Sequence, residues 1–81
     1  MEEINEPITV YAFFGRGKIT PIAFGWRGRR YEKLKVVSSW ATQNTPGRLH
    51  RWFALSDGAN TYRIKFDANG VDWRLITVHQ N

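Results

Sequence analysis

Apolar and polar residues alternate along most of this chain with a period of two, the spacing of a strand that buries one face and wets the other. The first run, residues 8–14, reads ITVYAFF and ends at Gly15-Arg16-Gly17. The second sets Ile22, Phe24 and Trp26 against Ala23, Gly25 and Arg27. Pro21, near its beginning, suits an edge position because proline cannot donate to a ladder. Gly28-Arg29 predicts a tight reversal into the third run, 30–40, where Leu34, Val36 and Trp40 share one face and Tyr31, Lys33, Lys35 and Val37 the other. The polar stretch 41–47 (ATQNTPG) is the one real loop, and only residues 38–45 could hold a single helical turn.

The fourth run opposes Leu49, Arg51, Phe53 and Leu55 to His50, Trp52 and Ala54. Asp57-Gly58 predicts a hairpin turn. The fifth run sets Tyr62, Ile64 and Phe66 against Thr61, Arg63 and Lys65. Asn69-Gly70 predicts a second such turn, and the last run sets Val71, Trp73 and Leu75 against Asp72, Arg74 and Ile76. No ten-residue window shows helical periodicity with caps. The pattern predicts an all-β fold: a six-stranded antiparallel meander curled into a small, partly open barrel, which limits exposed edges. Trp26, Trp40 and Trp73 fall on apolar faces and are expected in the core. Trp52 falls on the opposite face from Phe53 and Leu55 and is the ring expected to stay partly exposed.

Composition narrows the picture. Eighty-one residues suit one domain, expected at 7–79 behind a flexible acidic N-terminus, 1–6. There is no cysteine, hence no disulfide and no thiolate metal site, and His50 and His79 lie far apart. Four Trp, three Tyr and five Phe supply the core area instead. The first residues lack the basic-then-apolar order of a signal peptide. No apolar run approaches the roughly 18 residues of a membrane span. A cytoplasmic protein with no membrane partner is expected.

The net charge of +5 understates an asymmetry, because Glu2, Glu3 and Glu6 hold three of the seven acids. Beyond them, 12 bases face Glu32, Asp57, Asp67 and Asp72, leaving the rest of the chain near +8. A field of that sign attracts nucleic acid, anionic membranes or acidic proteins.

Catalytic chemistry finds no frame. Ser38, Ser39 and Ser56 occur without a nucleophile elbow or another triad signature. His50 reads as a strand surface residue, and His79, two residues from the end, as fraying. Asp57 and Asp67 read as turn caps, and the acids lack the spacing of a calcium loop. Gly15-Arg16-Gly17 is too short for a phosphate loop. No enzyme, cofactor or metal site is expected. The candidate binding set is instead the basic group Arg27, Arg29, Arg30, Lys33, Lys35, Arg63 and Lys65 with Trp52 as an accessible ring, the composition of small β modules that bind single-stranded DNA or RNA. Two other readings stand beside it. Outward Lys and Arg can simply solubilise strands and guard edges, or an edge strand or aromatic surface can dock a partner protein while the charge steers the encounter.

The order Phe24-x-Trp26-x-Gly28-Arg29-x-Tyr31, then Val36-Val37 and Trp40, Arg51-Trp52-Phe53, Asp57-Gly58, Tyr62-x-Ile64 and Trp73-x-Leu75 resembles a family of small bacterial all-β domains of unknown function. Some members accompany a degenerate translesion-polymerase relative of the mutagenesis machinery. The resemblance spans roughly residues 19–78, with Lys33 standing where an aliphatic residue is expected and the 41–47 loop differing in composition. It implies a DNA-repair or replication setting and a repair protein as partner. It carries over no site residue, since the family has no established active site.

Overall fold

The computed structural model describes residues 2–68, 70 and 72–81. Among them, eight strands follow one another without a helix: β1 (Glu2–Pro7), β2 (Thr9–Gly15), β3 (Lys18–Trp26), β4 (Arg29–Tyr31), β5 (Lys35–Thr45), β6 (Arg48–Ser56), β7 (Asn60–Asp67) and β8 (Asp72–Gln80). The chain is all-β as expected, but the six-stranded barrel is not what forms. The strands make two antiparallel sheets, a five-stranded one ordered β1-β8-β7-β6-β5 and a three-stranded one ordered β2-β3-β4.

Two breaks between strands produce this layout. The first is at Pro7-Ile8. β1 pairs with β8 at the edge of the larger sheet, and the chain then leaves to pair with β3 as β2. Ile8 holds the crossing by donating its N–H to the Trp73 carbonyl at 3.0 Å. The segment 1–6, expected as a flexible acidic lead, therefore contributes an edge strand from Glu2 onward. The second break divides the third run, where Lys33 takes a left-handed φ of 56° between β4 and β5. Tyr31 thereby stays with the small sheet and Val36 goes to the large one.

The turns are tighter than the sequence suggests. The reversal expected at Gly28-Arg29 sits one residue earlier. Arg27 and Gly28 have φ of 51° and 77°, so that Trp26 pairs with Arg29. Two successive positive φ values make the two-residue hairpin turn whose twist matches the flanking strands. Arg16 and Gly17, at 54° and 71°, repeat it between β2 and β3. The expected 41–47 loop is mostly strand: β5 runs to Thr45, and Pro46-Gly47 alone reverse the chain, without a helical turn. Asp57 accepts the N–H groups of Ala59 (2.9 Å) and Asn60 (2.8 Å), which closes the β6–β7 turn as expected. The expected Asn69-Gly70 turn lies partly outside the described residues, between the paired Asp67 and Asp72.

The core forms where the two sheets face each other. Phe24 from β3 packs against Phe53 and Leu55 from β6, Tyr62 and Ile64 from β7, and Leu75 from β8. Phe24, Leu55, Ile64 and Leu75 are fully buried. Each such side chain contributes roughly 1.5–3 kcal/mol on leaving water. Phe24 stacks on Tyr31 at 4.8 Å, and Tyr62 meets both rings edge-on. Pro21 is also fully buried. β4 reaches only Phe24 to Trp26, so at Pro21 strand β3 has β2 alone as a neighbour, and a residue without an N–H is tolerated there.

Bulges revise two expectations of facing. Ile22 is an extra residue in β3 between the Ala12–Pro21 and Tyr11–Ala23 pairs, and it is exposed rather than aligned with Phe24. Val37 is an extra residue in β5 between the Val36–Leu55 and Ser38–Ala54 pairs. It turns Trp40 away from Val36 and out of the core, while Trp26 and Trp73 rest half-buried against the core margin. A third irregularity, between Arg63 and Ile64, brings Val78 inward beside Tyr62. His79, expected to fray, is paired with Thr61 inside β8.

Candidate nucleic-acid interface

Strand registers define the face of the five-stranded sheet that looks away from the core, because directly paired residues project to the same side. One row crosses the sheet as Trp40, Trp52, Lys65, Arg74 and Pro7. The adjacent row is Ser38, Ala54, Arg63, Thr77 and Glu3. Lys35 and Ser56 begin a third row on one side, and Thr42, His50 and Asp67 form a fourth on the other.

Two indoles organise this surface. Trp40 and Trp52 lie with ring planes 4° apart and centroids 6.0 Å apart. The Trp52 Nε1–H donates to Thr42 Oγ1 at 2.9 Å, which fixes the ring's rotation. Ser38 and Ala54 are short, so the Arg63 side chain reaches across them and sets its guanidinium 5.3 Å from the Trp40 ring. Lys65 places its ammonium 5.7 Å from the Trp52 ring. Both distances are within the range in which a ring quadrupole attracts a cation. Among the described residues neither Arg63 nor Lys65 is paired with a carboxylate. Arg74, in contrast, is held by the Asn5 side chain and carbonyl at 2.8 and 3.0 Å, with Asp72 at 3.6 Å. Asp67 faces Arg48 at 3.7 Å and His50 at 3.6 Å at the end of this surface. Thr77 Oγ1 and His79 Nδ1 are buried with no hydrogen-bond partner among the described residues.

The expected basic set divides between the sheets. Lys35, Arg63 and Lys65 share the outer face of the large sheet with Trp52, whereas Arg27, Arg29 and Arg30 belong to the β3–β4 hairpin and Lys33 to the exposed link after it. Arg27 does not stand beside Arg30, as a reversal at Gly28-Arg29 would require. It occupies the turn itself, and Arg30 opposes Gly25.

The hairpin arginines border a shallow depression of about 540 Å³ with Tyr11 and Gly25, but two of them are already committed. Arg27 makes a twofold contact with the Glu6 carboxylate at 2.6 and 3.1 Å, and Arg30 meets Glu32 at 2.5 Å while covering Tyr11. Arg29 lies 5.5 Å from the Tyr31 ring.

Sequence reasoning missed Glu6 and Trp40. Glu6 pairs with Leu75, which turns its carboxylate toward the small sheet, where it also accepts the Trp26 indole N–H at 2.9 Å. The Arg27 guanidinium first, and then the Trp26 N–H, hold the Glu6 carboxyl below its ordinary value. Among the described residues no group of three His, Cys, Asp or Glu side chains could hold a metal ion, and no helix is long and apolar enough to cross a membrane. No family model matches this chain, and no curated protein or solved structure matches it.

Proposed function

We propose that this chain is a non-enzymatic accessory module that binds single-stranded DNA or RNA on the outer face of its five-stranded sheet. The carrying observation is the parallel Trp40–Trp52 pair flanked by Arg63 and Lys65, two cations without carboxylate partners among the described residues. The indoles stack bases, at roughly 1–3 kcal/mol per base. Lys35, Arg63 and Lys65 neutralise phosphates on either side. Bases within a duplex are stacked on each other and closed to such a surface, so single strands are the ligand class. The preference is for backbone and ring faces rather than for a sequence. The resemblance of the 24–31 element to domains found beside a translesion-polymerase relative supports a repair or replication setting.

Labelled single-stranded DNA, titrated at low and moderate ionic strength, tests the reading with two charge reversals on opposite sheets. Wild type is expected to bind at low salt and weaken as salt rises. Arg63→Glu abolishes most of that binding, and Arg27→Glu retains it. Absence of binding at low salt, or indifference to Arg63→Glu, overturns the reading. A second reading, protein docking, is favoured by one observation: β2 is an edge strand with exposed rings.

A further inference from the structure

Edge strands expose unpaired N–H and C=O groups and invite pairing with other chains, so proteins guard them with charge, proline, bulges or brevity. Three of the four edges here carry such guards. β1 has three acids, a left-handed Asn5, an irregular register and Pro7. β4 is three residues long with two arginines. β5 begins with Lys35 and is bulged at two places. β2 has none of these. Its seven residues, TVYAFFG, contain no charge and no proline, and the extra residue of its ladder, Ile22, belongs to β3.

The unguarded edge is also apolar. Phe13 and Phe14 are 64% and 65% exposed, and Tyr11 is 44% exposed. Gly15 makes room for this arrangement, since a Cβ there would lie 2.6 Å from the Phe13 ring, which leans over it. Rings of this size are normally the first to be buried.

We propose that β2 pairs antiparallel with β2 of a second copy of this chain, joining two three-stranded sheets into one of six strands. The occupant follows from the strand's own chemistry. With Ala12 on the twofold axis, Tyr11 of each copy falls opposite Phe13 of the other on one face, and Val10 opposite Phe14 on the other. The pairing thus places an aromatic or aliphatic partner opposite each ring, the contacts that stabilise antiparallel ladders. Seven neutral residues oppose no like charges. The flank adds to this, because Arg16 follows β2: parallel pairing would bring the two copies' Arg16 side chains together, and antiparallel pairing keeps them apart. The pairing is isologous and closed, and it leaves the Trp40–Trp52 face of each copy free.

Sedimentation velocity on the full chain, run over a range of loading concentrations, tests this. Wild type sediments at twice the mass of the chain, and raising salt preserves or strengthens the dimer because each copy carries +5. Tyr11→Lys/Phe13→Lys places like charges in register and halves the mass. Tyr11→Glu/Phe13→Lys places opposite charges in register and restores the dimer. Both doublets replace exposed side chains, and far-UV circular dichroism verifies their fold. Amide exchange over residues 9–15 slows with concentration in wild type. A wild type that stays monomeric at the highest loading, a dimer that survives the double lysine variant, or an opposite-charge variant that stays monomeric would each overturn the proposal.

Discussion

Trp40 and Trp52 are direct partners across the β5–β6 ladder, their ring planes 4° apart and their centroids separated by 6.0 Å. They meet only because Val37 adds one residue to β5, which reverses the facing of the residues from Ser38 to Thr42. Without that insertion Trp40 would join Val36 toward the core, and Trp52 would stand alone. The bulge therefore converts a single accessible ring into a two-ring platform, with Arg63 and Lys65 above it.

Trp52→Ala removes half of that platform and its hydrogen bond to Thr42. Loss of one stacked base, at about 1–3 kcal/mol, weakens single-stranded DNA binding by roughly 5- to 150-fold. Fluorescence anisotropy with an oligonucleotide long enough to cover the face measures it. The core does not depend on this indole, so the unfolding midpoint changes far less than the affinity.

Leu55→Ala acts on the opposite side of the same strand. Leu55 is fully buried among Phe24, Tyr62 and Ile64, and truncation there costs about 2–5 kcal/mol. A domain of this size has little more than that to lose, so the variant is largely unfolded in a urea melt. Val37→Ala, at the 62% exposed bulge residue, leaves the unfolding free energy within about 0.5 kcal/mol of wild type.

Acid stability follows from Glu6 and Asp57. The Arg27 guanidinium and then the Trp26 N–H lower the Glu6 carboxyl. The backbone N–H groups of Asn60 and Ala59, and then the Tyr62 hydroxyl, lower Asp57. Both groups bind protons less readily when folded, so their contribution is complete above the unfolded carboxylate values of about 4 and is lost as pH falls through the lower folded values. Urea midpoints from pH 7 to pH 2 should stay level and then decline. Asp57→Asn starts lower at pH 7 and converges on wild type in acid.

Thr77→Val removes a hydroxyl that is buried, without a partner among the described residues, on the strand between those of Arg63 and Glu3. Valine keeps the shape and the strand preference, so stability rises by about 1 kcal/mol, visible as a higher thermal midpoint. An unchanged or lower midpoint would mean that the hydroxyl is satisfied in solution.

Much of the large sheet was legible from alternation. Phe53 and Leu55 in β6, and Tyr62, Ile64 and Phe66 in β7, are buried as their spacing predicts, and Trp52 lies on the opposite face. Asp57-Gly58 was readable because an Asx side chain satisfies the turn's own N–H groups. Facing failed wherever an extra residue entered a ladder, as at Ile22 and Val37, since a bulge shifts parity without changing composition. The pairing of β1 with β8 joins the two ends of the chain and has no local signal. The Arg27-Gly28 turn did have one, a residue followed by glycine between two strands, and Arg16-Gly17 repeats it. Placing the reversal one residue late also set Arg27 on a face it does not occupy, and the break at Lys33 completed the division of the basic set.

The indole N–H signals of a ¹⁵N-labelled sample, followed during titration with single-stranded DNA at low salt, test the binding face most directly. Four tryptophans report on different places: Trp40 and Trp52 on the outer face, Trp26 on its bond to Glu6, and Trp73 against the core. The Trp40 and Trp52 signals are expected to shift together with added oligonucleotide while those of Trp26 and Trp73 hold. Shifts confined to Trp26, or no shift in any of the four, would contradict the assignment of this face to nucleic acid.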